Sequence, residues 1–346
     1  MTSSSSDTTS DISPFADFRK LAFAPGPNHA AALAATRARE AALTKPAGSL
    51  GRLEELAEWL TAVTGLAPPK VERPRVVVFA ASHGVTVEGV SAFPASVNAQ
   101  MLNGFREGTA AINQICAAAG IGLSAFDLAV EVPSGNIAVE DAFKSDREAA
   151  ATMAFGLEAI ANGVDCLALG EMGIGNTTVA AALFAALFGG SGADWCGAGT
   201  GVAGEALARK IKAVDRVVER LDGESDPLVI LQRAGGREIA AMVGAILAAR
   251  SQNVPIIVDG FVATSAAAVV HKMSPEATAH CLYAHRSAEA GHGRALDALG
   301  AVPLFDFGMR LGEGTGAALA ISIVKAAAAC HSGMGTFADA GVDGPV

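Results

Sequence analysis

Two glutamates stand where glycine-rich loops follow apolar runs. Glu171 lies in residues 167–178, "LALGEMGIGNTT", among Gly170, Gly173 and Gly175. Glu313 lies in residues 311–317, "LGEGTGA", between Gly312 and Gly314. Glycine-rich loops that open helices bare backbone N–H groups, which suits an anion. A carboxylate there asks for a different explanation. It can cap a helix or pair with a base, or it can do chemistry: accept a proton, or face a developing positive charge. One such acid would be unremarkable; two, in two loops of the same type, favour a site.

The other reactive residue types narrow the chemistry. His280, His285 and His292 are close in sequence, but no H-E-x-x-H and no carboxylate at a fixed offset accompanies them, so no metal site is expected. His285-Arg286-Ser287 reads better as an anion-contacting loop. Lys210 follows "GAGTG" (197–201), a pattern that recurs as "GEGTG" (312–316), each just before a helical segment. A lone Gly-x-Gly turn is weak evidence, since a tight strand-to-helix turn has the same composition. No Walker A lysine pattern, no early Rossmann G-x-G-x-x-G and no G-x-S-x-G elbow is present, which argues against nucleoside-triphosphate, dinucleotide and acyl chemistry.

The elements that must position these residues are βα units. Apolar runs at 75–84, 123–132, 164–173, 254–261 and 302–314 read as parallel strands. Ala-rich segments 177–188, 238–250, 262–273 and 315–329 read as helices packed closely on the sheet. Leu53, Leu56, Leu60 and Val63 recur at helical spacing, with Ser49 as the expected cap; Asp226 and Pro227 open a helix over 227–233. The fold class expected is α/β: a parallel, Rossmann-like sheet flanked by helices in a large domain over 71–330. A smaller helical domain would combine 13–70 with 331–346, and 1–12 would be a disordered tail. Ligands of such sheets bind beyond the carboxyl ends of the strands. Ser82-His83-Gly84, Glu171 to Thr178, Asp259-Gly260 and Gly312 to Gly316 all fall there.

Composition sets outer bounds. The 346 residues carry a net charge of -10 and only 5% aromatics, which argues against binding nucleic acid. An anionic substrate would need locally placed cations and N–H groups. Five cysteines (116, 166, 196, 281 and 330) without C-x-x-C predict reduced thiols and a cytoplasmic protein, with Cys116, Cys166 and Cys330 as small core residues. No apolar run reaches the length of a membrane span, and the first residues lack the features of a signal peptide.

The blocks "LTKPAGSLGRLEELA", "VVFAASHGVTVEGVSAFP", "LALGEMGIGNTT", "IVDGFVATSAA", "AHRSAEAGH" and "MRLGEGTGAALA" stand in order from about residue 40 onward. Together they closely resemble the nicotinate-nucleotide:dimethylbenzimidazole phosphoribosyltransferase family. The resemblance implies attack of a 5,6-dimethylbenzimidazole ring nitrogen on the ribose C1 of nicotinate mononucleotide. Nicotinate leaves and the sugar inverts from β to α, giving α-ribazole 5'-phosphate for cobalamin. It also implies a homodimer with no organic cofactor. Glu313 maps onto the family's catalytic base. Glu171 would face the cationic ring, with the backbone around Gly173, Gly175, Asn176 and Thr177 toward phosphate. Lys210 and Ser287 would surround the nucleotide, and Gly312, Gly314, Ser91 and His83 complete the expected substrate-binding set. Several positions depart from the family pattern: Ser82 before His83, Ala198 within "GAGTG", Ala203-Gly204, Arg237 and Ala290. They bear on which base is accepted. Transfer to another benzimidazole, a purine or a phenol, or a non-catalytic sensor of nicotinate mononucleotide, are the alternatives.

Overall fold

Alternating residues of each strand face opposite layers, and this period of two builds the molecule. The computed structural model describes residues 13–344 except Asn162, so the tail expected over 1–12 lies outside the described residues. Five strands, β1 (Pro74–Ala80), β2 (Gly122–Asp127), β3 (Cys166–Met172), β4 (Ile256–Val258) and β5 (Cys281–Tyr283), form one parallel sheet in the order β2-β1-β3-β4-β5. Val77, Phe79, Leu167, Leu169, Ile256 and Val258 join a core with helices Asp146–Gly156, Asn176–Phe188, Arg237–Ser251 and Phe261–Met273. Val76, Val78, Ala80, Cys166, Ala168 and Ile257 face a second core with helices Arg52–Thr64, Val97–Glu107, Ala111–Ala119 and Thr315–Gly333. Both faces of the sheet are covered, as near-continuous apolar strands require.

The expected strand at 302–314 does not form. The segment makes one parallel bridge, His285 to Phe305, and isolated bonds from Leu304 N–H to the Tyr283 carbonyl and from Glu313 N–H to the Glu171 carbonyl, and otherwise runs beside the loop after β5. Arg286 N–H donates to the Phe305 carbonyl and Ala288 N–H to the Met309 carbonyl, both at 2.9 Å. Pro303 lacks a donor, and Gly308 and Gly312 take positive φ, so a regular ladder is interrupted. The fifth strand is instead Cys281–Tyr283, three residues too short to give a pattern in sequence.

The helix expected from Leu53 spans Arg52–Thr64, but Gly51 is its cap residue and Ser49 makes no capping bond. Ser49 lies two residues too early; Glu54 instead accepts the Leu50 N–H at 3.0 Å. Asp226 does cap its helix, accepting the Leu228 N–H at 3.0 Å. Helix Ala16–Phe23 enters the first core through Phe18 and Ala22, and Arg52–Thr64 enters the second through Leu56 and Leu60. Helix Ala30–Ala42 is tied to the C-terminal segment: Arg39 donates to the carbonyls of His331, Ser332 and Met334. Cys116 and Cys166 are buried as expected, but Cys330 is partly exposed; all five cysteines are free thiols. Helix Thr315–Gly333 is long and apolar enough to cross a membrane by length and composition, yet half of that window is buried within the fold.

Candidate active site

The chain passes from β1 outward to β2 and returns to place β3 on the other side of β1. Open α/β sheets bind their ligands at such a reversal. A cavity of about 350 Å³ opens there. Its floor holds Glu171, Glu313, Asn176 and Thr177; Gly260, His285 and Ser287 come from the loops after β4 and β5; Phe93, Val97, Met101 and Leu311 supply an apolar side.

Glu171 is the second-last residue of β3, paired in register with Phe79 of β1. Its side chain is fixed by the Asn176 amide, which donates to Oε2. Burial raises its carboxyl to about 8; the charges of Glu238, Asp259 and Glu313 add to the rise and the Asn176 bond opposes it.

Glu313 is held by backbone that a side chain rarely adopts. Gly312, Glu313 and Gly314 have φ of 82°, 61° and 79°. For the glutamate this conformation costs about 1–3 kcal/mol, typical of strain kept at functional sites. The loop sits directly on the end of β3. Glu313 N–H donates to the Glu171 carbonyl at 3.2 Å, and a Cβ at Gly170 would meet the Glu313 carbonyl at 2.7 Å. Only glycine at 170 admits this approach. Burial raises the Glu313 carboxyl to about 7, against a backbone hydrogen bond from Ile112. Its Oε2 is buried with no hydrogen-bond partner among the described residues.

The loop between the acids is less bare than its glycines suggest. Ile174 N–H donates to Asn98 Oδ1 at 2.8 Å, and Asn176 N–H donates to the Gly173 carbonyl at 3.0 Å. The Asn176 N–H expected to face phosphate is thus already used, because the helix Asn176–Phe188 begins in a turn; its amide holds Glu171 instead. Gly175, at φ 94°, caps that helix and does not border the cavity. Asn98 also donates to Ser82 Oγ at 2.7 Å, and Ser82 donates to the Val130 carbonyl at 2.5 Å. The serine that departs from the family pattern is therefore fully engaged.

The remaining expected residues divide between wall and support. Gly173, Thr177, Ser287 and Gly312 border the cavity. His83 lies beneath Gly173, its Nε2 2.8 Å from Glu238 Oε1, both side chains buried. Lys210 is fully buried behind the wall; Nζ donates to Thr177 Oγ1 and the Gly197 carbonyl, each at 2.9 Å, and lies 4.0 Å from Glu289. Burial holds its ammonium below the usual lysine range. Ser91 pairs with Thr200 at 3.0 Å beside the cavity, and Gly314 faces the Asp259 carboxylate. Ser287 N–H donates to His292 Nδ1 at 2.8 Å, which leaves Nε2 as the donor to Thr264 at 3.0 Å. Burial pushes His292 down to about 3, so it stays neutral.

Arg286, expected to contact an anion, is exposed and outside the cavity wall. Arg310 takes a place there instead, donating to the Gly199 carbonyl at 2.8 Å. Glu289 accepts the Gly199 N–H at 2.5 Å and fixes the "GAGTG" loop. The sequence singled out none of Arg310, Glu289, Glu238 or Asn98. Glu289 and Arg310 had a signal, their places in "AHRSAEAGH" and "MRLGEGTGAALA"; Glu238 and Asn98 are assembled by tertiary contacts.

A sheet of this topology, with two buried carboxyls raised toward neutrality at its reversal point and glycine-rich helix starts beside them, has the architecture of an α/β enzyme with a small-substrate site. Residues 26–342 match the family model DBI_PRT, described as phosphoribosyltransferase. The chain belongs to that phosphoribosyltransferase family. It is 60% identical over 331 residues to the nicotinate-nucleotide--dimethylbenzimidazole phosphoribosyltransferase of Rhizobium meliloti (strain 1021), covering 95% of this chain and 97% of that one. It is 59% identical over 333 residues to the protein of the same name from Brucella anthropi, covering 96% and 98%. The crystal structure of CobT from Thermus thermophilus superposes with a TM-score of 0.86 at 42% identity, covering 91% of this chain and all of that one.

Proposed function

We propose that the chain transfers phosphoribose from nicotinate mononucleotide to 5,6-dimethylbenzimidazole, with Glu313 as the base and Glu171 facing the cationic centre. A ring nitrogen of the acceptor forms the new bond to ribose C1. The bond from C1 to the pyridinium nitrogen breaks, and its electron pair returns to the ring as nicotinate leaves. Glu313 takes the N–H proton that the attacking azole must lose. Attack and departure on opposite faces invert the sugar, giving α-ribazole 5'-phosphate.

A glutamate with an ordinary pKa near 4.3 is a weak base; burial brings Glu313 to about 7, where it accepts a proton near neutral pH. The apolar side at Phe93, Val97, Met101 and Leu311 suits a dimethylated ring. In this reading Glu171 faces the positive charge that spreads between sugar and leaving ring, and its ionised form, which prevails above about pH 8, attracts that charge more as the bond stretches. Thr177, Ser287 and Arg310 offer donors to the anionic nucleotide, and buried Lys210 adds a fixed charge behind Thr177. In this reading the enzyme is a cytoplasmic homodimer without metal or organic cofactor. The free thiols support the compartment, and the exposed Phe307, which does not line the cavity, supports association.

The observation that carries this reading is the unpartnered, buried Glu313 oxygen beside an apolar cavity. The test is to incubate the protein with nicotinate mononucleotide and dimethylbenzimidazole and to follow both nicotinate and α-ribazole phosphate. Both should appear in equal amounts. Binding without release would leave a sensor, and release only with a different base would reassign the acceptor.

A further inference from the structure

Asp259 follows β4 and is 2% exposed. Its Oδ1 accepts the Ala317 N–H at 2.8 Å, and the N–H groups of Gly314 and Gly316 also bond to the carboxylate. These are the first N–H groups of helix Thr315–Gly333, whose own N-cap, Gly314, has no side chain to offer. A helix start left without a cap has unsatisfied donors. Here the cap is supplied from the residue after β4, 58 residues away in sequence. His285 closes the other side: its Nε2 lies 3.7 Å from Asp259 Oδ1, and its ring stacks on Phe305. A Cβ on Gly316 would run into both the His285 ring and Asp259. The junction has no slack.

Glu313 is the residue immediately before this junction, and nothing in its own sequence favours φ of 61°. Two clamps hold it. On one side its N–H is bound to the end of β3; on the other, the helix start is bound to the end of β4. We propose that Asp259 is a positioning residue for the transfer reaction: by capping the Thr315 helix from β4, it holds Glu313 in its left-handed conformation and aims the carboxylate at the acceptor nitrogen. This rests on the assignment of Glu313 as base. Without the cap the first turn frays, Glu313 relaxes toward ordinary backbone angles, and its carboxylate leaves the line of proton transfer. Substrate still binds, because Thr177 and Ser287 reach the cavity from other loops and Arg310, although it precedes Glu313, is held by its own bond to the Gly199 carbonyl.

A kinetic double-mutant cycle tests this, using steady-state transfer with D259A, D259N, E313Q and each double variant. D259A should lower kcat by about 10–10²-fold, the scale of a small misplacement of a catalytic group. KM for nicotinate mononucleotide should stay within about 2-fold. D259N keeps an oxygen for Ala317 and should recover most of the lost rate. In the E313Q background, either Asp259 substitution should cost less than about 2-fold more, because residues that act through one group are not additive. Wild-type kcat in D259A, or an equal loss with and without Glu313, overturns the proposal. Should D259A not fold, the D259N cycle carries the same test, with a loss of about 3–10-fold that must vanish in E313Q. E313Q alone reads the underlying assignment: if that variant keeps full activity, the base is wrong, whatever Asp259 does.

Discussion

Glu171 and Glu313 are neighbours built in opposite ways. Glu171 ends a regular strand, in unstrained backbone, with Asn176 gripping one oxygen. Glu313 stands on three successive left-handed residues, and one of its oxygens has no partner. Both are raised by burial, but Glu171 also feels the charges of Glu238, Asp259 and Glu313. A tethered carboxylate with a fixed orientation can stabilise a charge in a defined place. One with a free oxygen can change its bonding during a reaction. The fold has strained the backbone under the second and spared the first, which is where proton transfer would call for a particular aim.

Removing the proposed base should have the largest effect. E313Q keeps the size and the loop but cannot take a proton, and should lower kcat by about 10²–10⁴-fold with nucleotide affinity retained. An active E313Q, measured by nicotinate release, would erase the distinction between the two acids. Assayed above pH 8, where Glu171 is ionised, E171Q removes a charge but not a hydrogen-bonding group, since a glutamine oxygen can still accept from Asn176. Its kcat should fall by about 10²-fold, the scale of losing one electrostatic contact to the transition state. If E171Q instead matches wild type in kcat and only KM rises, Glu171 is a binding residue and not a stabiliser of the cationic centre.

Lys210 sharpens the comparison from behind the wall. K210M keeps the apolar stem and removes the ammonium that joins Thr177 to Gly197. KM for nicotinate mononucleotide should rise by about 2–10-fold, the worth of one ordinary hydrogen bond lost indirectly through a loosened Thr177, with kcat changed much less. An unchanged KM would confine Lys210 to a structural tie.

The parallel sheet, its two-sided burial and the acids at its carboxyl edge were legible because apolar runs and glycine loops are local signals. The failures were those of contact. Residues 302–314 looked like a strand, yet Pro303 and the positive-φ glycines turn them into a loop beside 284–288. Cys281–Tyr283 carried too few residues to show. The glycines at 173 and 175 suggested a bare anion cradle, but the Ile174 and Asn176 N–H groups are taken by Asn98 and Gly173. Asn98, 76 residues from its partner Ile174 in sequence, had no pattern to betray it. Glu313 was legible as a candidate from its loop and its family resemblance. Its left-handed backbone was not, because the strain is imposed by β3 and β4 and not by its own neighbours.

The smallest effect is on stability, and its sign separates a carboxylate kept for function from one kept for folding. An unfolded glutamate titrates near 4.5; in the fold Glu313 and Glu171 titrate at about 7 and about 8. Both values are raised, so the folded state binds protons more tightly than the unfolded chain. The stability from these two groups is fully present below pH 4.5 and is lost as pH rises through 7 and 8. Activity that needs ionised Glu313 rises over the same interval, so the site is least stable where it works best. Glutamine at either position never ionises and escapes the loss. E313Q and E171Q should therefore melt higher than wild type at about pH 8.5, by about 1–3 °C, and the gap should close by about pH 5. A scan of melting temperature against pH reads this directly. A gap that is constant, or that widens toward acid, would mean that these carboxylates are held charged by partners in the fold, and the contrast between a tethered and a poised acid would not stand.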